Sequence, residues 1–103
     1  PRDPSEIITT GKKDGHDVLD GSVKVLSNKG IDVTKNFIQG AEETLKIAKE
    51  HNAKTAILKA GSPSCGYKKI YDGTFLGNKI QGMGVTAAIL NKENIALLDE
   101  DDI

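Results

Sequence analysis

The segment LKAGSPSCGYKK, from Leu58 to Lys69, contains Cys65, the single cysteine in a chain of 103 residues. A thiolate is a nucleophile and a soft metal ligand, whereas a thiol packed among aliphatic side chains is inert. Lys59, Lys68 and Lys69 would favour a thiolate by their charge, and the exposed amides of a glycine-rich loop would bind an anion. From the residue types alone, a working thiolate and an inert, half-buried thiol are about equally supported.

Two serines stand beside this cysteine, on either side of a proline. Ser62 and Ser64 flank Pro63, whose fixed φ restrains the backbone and so helps to aim both hydroxyl groups. Such serines are either functional hydroxyls or ordinary turn residues. Both interpretations stay open at this point.

The remaining polar residues give weaker indications of chemistry. His16 lies in a polar segment and His51 at the end of a predicted helix, where a solvated or charge-stabilising role is typical. One cysteine and two scattered histidines also lack the compact spacing of a zinc site. Asp72 is expected to form a turn. The pair Lys12-Lys13 and the acidic residues Asp99 to Asp102 are interpreted as solvated surface charge.

Composition and charge exclude several partners. With 14 basic and 15 acidic residues the formal net charge is -1, so no overall positive field attracts nucleic acid. No apolar run approaches the roughly 20 residues of a membrane helix, and the polar opening is unlike a signal peptide. One cysteine cannot form an internal disulfide, which fits a reducing compartment. We therefore expect a cytoplasmic protein that binds neither nucleic acid nor membrane.

The strongest structural signal is an amphipathic helix that begins at Thr34, whose hydroxyl is expected to cap it, and ends at His51-Asn52. Gly40 inside this helix costs about 1 kcal/mol relative to alanine, which indicates either close packing or simple tolerance. The apolar face repeats with a period of about 3.6 residues. It comprises Phe37, Ile38, Ala41, Leu45, Ile47 and Ala48.

Two short apolar segments, Thr55–Leu58 and Ile95–Leu98, are predicted to be buried strands of a parallel sheet. A second helix is predicted over Val85–Leu90. This order of elements indicates an α/β domain with right-handed crossovers. The cysteine loop then lies beyond the carboxyl end of a strand, where sites form in such sheets.

The other segments are predicted from turn chemistry. Residues 23–33 indicate a short hairpin around the turn Asn28–Gly30, and residues 1–22 are interpreted as mostly loop. Residues 62–84 contain five glycines and are too long for a simple connection, which favours a functional or partly structured loop.

Three blocks, ILKAGSPSCG, IYDGTF and GMGVTAAIL, resemble in order and spacing the carboxyl-terminal part of the small bacterial family of thiouracil desulfidases. The segment DVTKNFIQGAEETLKIAKEHNAKTAILK resembles that family's helix and strand before the SPSCG loop, so the resemblance covers most of the chain. It implies a Rossmann-like three-layer sandwich with a small, mainly parallel sheet, incomplete at its amino terminus. Residues 1–103 would then be one domain, a piece of a domain of roughly 150 residues.

The resemblance also implies a 4Fe-4S cluster held by three cysteines, with one iron open to the sulfur of a small thiolated substrate such as a thiouracil. By this resemblance Cys65 would be a cluster ligand. Ser62 would be the catalytic serine, which helps proton transfer as oxygen replaces sulfur. The family's other two cysteines, and a glutamate that activates water, have no counterpart in this sequence. The full-length parent would therefore bind the cluster, whereas this chain alone is expected to be inactive.

Two other functions remain open alongside this one. The chain could be a non-enzymatic module that binds a small anion in its glycine-rich loop or dimerises, or it could be a redox sensor using Cys65 alone. Loss of a leading strand would leave an apolar sheet edge exposed, and such edges invite pairing between chains. We therefore expect self-association into a homo-oligomer.

Overall fold

The α/β class is confirmed by the computed structural model, which describes residues 4–8, 13–59 and 62–102. No helix in these ranges is long and apolar enough to cross a membrane. The elements in chain order are β1 (Ser5–Ile7), α1 (Gly15–Leu19), β2 (Val25–Ser27), α2 (Thr34–Glu50), β3 (Thr55–Leu58), β4 (Lys69–Tyr71), β5 (Lys79–Gln81), α3 (Val85–Lys92), β6 (Ala96–Asp99) and a 3-10 turn, Glu100–Asp102. Strands and helices alternate along the chain except at β3, β4 and β5, which follow one another.

The strands pair as three two-stranded sheets. β3 and β6 are parallel, with Thr55 opposite Ala96 and Leu58 opposite Asp99, which confirms the predicted small parallel sheet. The pairs β1–β2 and β4–β5 are antiparallel. The predicted long loop after the cysteine therefore contains a hairpin of its own.

The helix α2 ends at Glu50 with His51 as its carboxyl-terminal cap, which agrees with the predicted end. Its amino-terminal cap is different. Thr34 is the first helical residue, and its hydroxyl oxygen accepts a hydrogen bond from the Val25 amide at 3.0 Å instead of capping the helix. The Asp32 carboxylate accepts the Thr34 amide at 2.9 Å. The predicted capping role of Thr34 is wrong because a strand nine residues earlier competes for its hydroxyl group.

The apolar face of α2 is confirmed except at one position. Ala41 is fully buried, and Phe37, Ile38, Leu45 and Ala48 pack against the core. The side chain of Ile47 is 52% exposed. Successive helical residues are about 100° apart, so position 47 turns away from the face that position 48 occupies.

The amino-terminal region is more regular than its composition indicates. The interpretation of residues 1–22 as mostly loop is wrong for β1 and α1, while residues 1–3 and 9–12 lie outside the described residues. Asp14 and Asp17 form a capping box at the start of α1, in which each carboxylate accepts a backbone amide at 2.9 Å.

The predicted hairpin over residues 23–33 is confirmed. Ser27 donates its amide to the Ile31 carbonyl at 2.9 Å, and Val33 donates to the Val25 carbonyl at the same distance. Strand β2 also pairs with β1, so it belongs both to this hairpin and to the β1–β2 sheet.

The core consists of two hydrophobic clusters. One cluster joins β1, β2, α1, α2 and β4 to the start of α3, and its fully or nearly buried members are Ile7, Val18, Val23, Val25, Ala41, Ile70 and Val85. The other lies between the parallel strands and the two long helices, and contains Leu58, Ala87, Leu90 and Ile95. The cysteine loop borders this second cluster.

One face of the parallel pair lies open within the described residues. Ile57, opposite Leu98 in the ladder, is 64% exposed, so the expectation that β3 is buried on both faces is wrong at this position. Only the alternate residues, such as Leu58, face the second cluster. Self-association through an exposed sheet edge stays a prediction.

Replacing Gly40 by alanine should stabilise the protein. No atom lies within 4 Å of a Cβ built at Gly40. The substitution is therefore expected to raise the free energy of unfolding by about 1 kcal/mol, measured by urea denaturation. Gly30→Ala is the matched control: its site is equally open, but Gly30 has a φ of 77°. That substitution should lower the free energy of unfolding by about 1 kcal/mol. Equal effects of the two changes would contradict this explanation.

Candidate functional site at the cysteine loop

The loop that carries Cys65 is a tight turn organised by Ser62. The Ser62 hydroxyl oxygen accepts the amides of Ser64 and Cys65, each at 3.1 Å. Its carbonyl oxygen accepts the Gly66 amide at 2.8 Å. The interpretation of Ser62 as a turn residue is therefore confirmed, and its catalytic role stays a prediction.

This turn forms the cap of helix α3. The Pro63 carbonyl accepts the Val85 amide at 2.9 Å, and the Ser64 carbonyl accepts the amides of Thr86 and Ala87 at 2.8 and 3.1 Å. The helix has no side-chain cap. Backbone oxygens of the cysteine loop therefore satisfy amides that every helix leaves unpaired at its start.

A pair of hydroxyl groups also joins the cysteine loop to helix α3. Ser64 Oγ lies 2.7 Å from Thr86 Oγ1, and the Thr86 side chain is buried. The Cys65 thiol donates to Ser64 Oγ over a longer distance of 3.8 Å. Ser64 is thus part of the support of the loop.

Cys65 itself is half-buried, with its side chain against the second hydrophobic cluster. It is neither sealed among aliphatic side chains nor fully exposed. Its burial is therefore intermediate between the two alternatives that the sequence left open.

The close approach of the loop to α3 depends on glycine. A Cβ on Gly84 would lie 2.5 Å from the carbonyl oxygens of both Pro63 and Ser64. A Cβ on Gly15 would lie 2.2 Å from the Gly84 carbonyl oxygen. Three backbone segments therefore stack with no side chain between them, an arrangement that only glycine permits.

Asp14 is a positioning residue that the sequence alone did not reveal. Its Oδ2 atom accepts the Met83 amide at 2.8 Å, which fixes the segment before α3 to the start of α1. His16 lies in α1 rather than in a loop. Its Nδ1 atom is 3.2 Å from Asp14 Oδ1. The spacing of Asp14 and Asp17 was the available signal, since it is that of a capping box.

The IYDGTF block forms the end of the β4–β5 hairpin. Asp72 accepts the Thr74 amide at 2.9 Å and the Thr74 hydroxyl at 2.6 Å, which confirms its turn-forming role. These hydrogen bonds lower the pKa of Asp72 below its ordinary value. Glu6 on β1 is buried and accepts the amides of Gly73 and Phe75 at 3.0 and 3.2 Å. The block is therefore held in place by β1.

One of the three lysines near the cysteine in sequence, Lys68, contacts carboxylates, and the influence of all three on the thiol stays a prediction. Lys68 Nζ lies 2.8 Å from Asp102 Oδ1 and 3.6 Å from Asp99 Oδ1. Lys59 and Lys69 are exposed. Lys68 is therefore engaged by carboxylates of the carboxyl-terminal segment.

The interpretation of Asp99 to Asp102 as solvated surface charge is wrong for Asp99, whereas Asp102 is exposed although it is paired. Asp99 is only 2% exposed. Asp102 accepts hydrogen bonds from Lys68 and from the Tyr67 hydroxyl, and both lower the pKa of its carboxyl group. The same Asp102 contact raises the pKa of Lys68. The partners are 34 residues or more apart in sequence, so no local pattern indicates them.

A 4Fe-4S cluster does not fit the residues of this chain alone. Within residues 4–8, 13–59 and 62–102, no three His, Cys, Asp or Glu side chains form a group that could hold a metal ion. The whole sequence contains a single cysteine. Cys65 can therefore provide at most one of the thiolates that such a cluster requires.

The fold and this loop define an α/β domain with a cysteine-bearing turn at the carboxyl edge of a parallel strand pair. The sequence model of the 2-thiouracil desulfurase family matches residues 1–102, and the chain belongs to this family.

Two proteins are similar to this chain over its whole length. The uncharacterized protein YbbK of Bacillus subtilis (strain 168) is 48% identical over 103 residues. A solved structure, the 4Fe-4S-dependent thiouracil desulfidase TudS, is 36% identical and superposes with a TM-score of 0.83 over the whole of this chain. The chain spans 66% of the length of YbbK and 60% of that of the TudS chain.

Substitution of Gly84 by alanine should displace the cysteine loop. The added Cβ would meet two backbone oxygens at 2.5 Å, and neither can move without breaking the cap of α3. We expect the free energy of unfolding to fall by about 1 to 3 kcal/mol, measured in urea. The amide resonances of residues 62–66 should shift in the same variant. Gly40→Ala is the control, and an unchanged loop spectrum in Gly84→Ala would contradict this account.

Proposed function

We propose that Cys65 and Ser62 belong to the site of an iron-sulfur-dependent desulfidase that replaces a thiocarbonyl sulfur by oxygen on a small thiolated compound such as a thiouracil. The observation that carries this proposal is the half-buried thiol of Cys65, held by α3 at the carboxyl end of β3 in a chain of this family. The similar protein TudS is itself a 4Fe-4S-dependent thiouracil desulfidase, which supports the same chemistry here.

Each of the two residues has a role that its surroundings support. A 4Fe-4S cluster, when bound, supplies a soft Lewis-acidic iron that suits a thiocarbonyl sulfur. Cys65 would provide one thiolate ligand, and the other ligands would come from outside these 103 residues. The isolated chain is accordingly proposed to be inactive.

The hydroxyl of Ser62 is arranged to donate a hydrogen bond. A serine oxygen has two acceptor positions and one hydrogen. Both acceptor positions are occupied by the amides of Ser64 and Cys65, which leaves the hydrogen for another partner. Ser62 would therefore donate toward the substrate rather than accept a proton from it.

The same proposal includes a Rossmann-like three-layer fold and a cytoplasmic location. The open face of β3 and β6, marked by Ile57, is where a third layer would complete a Rossmann-like sandwich. The free thiol of Cys65 fits a reducing compartment, and we propose the cytoplasm.

The role of Cys65 can be tested by cluster reconstitution. The chain is extended by the part of YbbK that lies outside the match, then incubated without oxygen with iron and sulfide. We expect a brown protein with broad visible absorption, and little colour in the unextended chain. Cys65→Ser should abolish the colour because it removes a ligand. A chromophore that is indifferent to Cys65→Ser would overturn the proposal.

Ser62→Ala separates catalysis from cluster binding in the same extended protein. The colour should remain, while turnover of a thiouracil to the corresponding uracil should fall by about 10²- to 10⁴-fold, the usual contribution of a proton-transferring group. Thr86→Val is the matched control, because it removes a hydroxyl that contacts the loop through Ser64 only. Equal losses of turnover in both variants would assign Ser62 a structural role.

The alternative of a small-anion site has less support, although it stays a prediction. Such a site needs free backbone amides. The amides of residues 64–66 donate to Ser62, and those of residues 85–87 donate to Pro63 and Ser64. The start of α3 is therefore already occupied by oxygen atoms of the protein.

Titration with inorganic phosphate should accordingly leave the amide resonances of residues 62–66 and 85–87 unchanged. Chloride at the same ionic strength is the control for general screening. Saturable shifts in these amides with phosphate alone would favour the anion-binding module instead.

A further inference from the structure

A cluster of polar side chains joins the chain after Cys65 to the turn after β6. Lys68 Nζ contacts the carboxylates of Asp102 at 2.8 Å and Asp99 at 3.6 Å. The Tyr67 hydroxyl donates to the other oxygen of Asp102, Oδ2, which also accepts the Asp99 amide at 2.9 Å. One carboxylate thus receives hydrogen bonds from three groups.

The Lys68–Asp102 pair is itself partly exposed, with side chains 47% and 25% accessible, and the neighbouring Asp99 is what distinguishes the cluster from an ordinary surface ion pair. Exposed pairs of lysine and carboxylate contribute little, because water competes for both partners. Here Asp99 is almost fully buried, and its backbone belongs to β6, opposite Leu58 at the end of β3. The Lys68 ammonium also lies 5.3 Å from the centre of the Tyr67 ring. The cluster is therefore anchored to the parallel strand pair.

The position of the cluster along the chain links it to the cysteine. Gly66 separates Cys65 from Tyr67, and its carbonyl accepts the Gly84 amide at 2.6 Å. The loop is thus held on one side by α3. Beyond Gly66, the described contacts of Tyr67 and Lys68 with Asp102 hold it on the other side.

We propose that Tyr67, Lys68 and Asp102 form a clamp that positions Cys65 for its role in the site. These three are positioning residues, because they act through the backbone of the loop. The cluster restrains the backbone next to Gly66, so that the Cys65 side chain keeps a single orientation against the second hydrophobic cluster. Its part in desulfidation rests on the proposed function.

The clamp can be tested on this chain without any cluster, through the rate at which iodoacetamide alkylates Cys65 at one fixed pH. Tyr67→Phe keeps the ring and removes the hydroxyl donor, and Lys68→Met keeps the aliphatic stem and removes the charge. We expect both variants to react several-fold faster than the parent chain, because the loop samples more open conformations. The amide resonances of residues 62–66 should shift in both.

Two further variants separate positioning from general stability. Lys68→Arg keeps a cation that can reach both carboxylates, so it should restore the parent rate. Glu93→Gln removes a different exposed ion pair, with Lys49 at 2.8 Å, and should leave the rate unchanged. Unfolding in urea identifies any variant that is globally destabilised. Among variants that remain folded, the alkylation rates of Lys68→Arg and Lys68→Met are then compared.

Equal alkylation rates and unchanged loop resonances in Tyr67→Phe, Lys68→Met and the parent would overturn the clamp. That result would leave the proposed function untouched, because it is measured on metal-free protein. Conversely, absence of a cluster in the reconstitution experiment, combined with faster alkylation here, would reject the proposed function and retain the clamp.

Discussion

The contact on which the structure of the cysteine loop depends is made by backbone atoms: carbonyl oxygens of Pro63 and Ser64 bind the first free amides of α3. Helix α3 is the most buried of the helices in the described part of the chain, with residues 85–88 and Leu90 in the core. The loop is consequently attached to an element that cannot shift without disturbing both hydrophobic clusters. This is how a short turn outside any helix or strand obtains a defined position.

The same contact determines what the loop can do. The amino terminus of a helix carries partial positive charge and commonly binds anions. In this protein that charge is satisfied by the loop itself, so the loop gains rigidity and loses a ready anion site. What remains for chemistry is a half-buried thiol and a serine hydroxyl hydrogen, both on the turn. A soft sulfur ligand beside a hydrogen-bond donor suits a substrate that carries sulfur on carbon better than it suits a phosphate.

Local patterns in the sequence predicted the elements that depend on periodicity. Helix α2 and strand β3 follow from runs of apolar residues whose spacing is unambiguous, and β3 lies within the predicted bounds. The errors concern residues with distant partners. The Thr34 hydroxyl binds Val25, and the buried Asp99 carboxylate lies 3.6 Å from Lys68 Nζ. Neither pairing leaves a trace in the residues nearby. Strand β1 and helix α1 are also too short for a periodic signal, since they have three and five residues.

For the candidate site, the sequence predicted Ser62 and Cys65 as its residues but could not determine their surroundings. The SPSCG segment is recognisable from its letters, and Ser62 and Cys65 do lie in one turn. The support of that turn is different, because it comes from Gly84, Asp14 and the clamp residues, which are spread over most of the chain. A glycine that is needed for close approach and one that is merely tolerated look the same in a sequence. Gly84 and Gly40 are distinguished only by what a Cβ would meet.

The single thiol sets the final constraint on function. A cubane cluster needs several thiolates that converge on one point. A thiolate whose position is already fixed in the folded protein adds no further entropic cost when the cluster binds. The cap of α3 and the clamp after Gly66 fix the backbone on both sides of Cys65. Ligands from outside these 103 residues would therefore have to adjust to Cys65, and Cys65 would not adjust to them. Under the proposed function, this chain therefore provides the one ligand whose position is fixed in advance, and the other ligands are arranged around it.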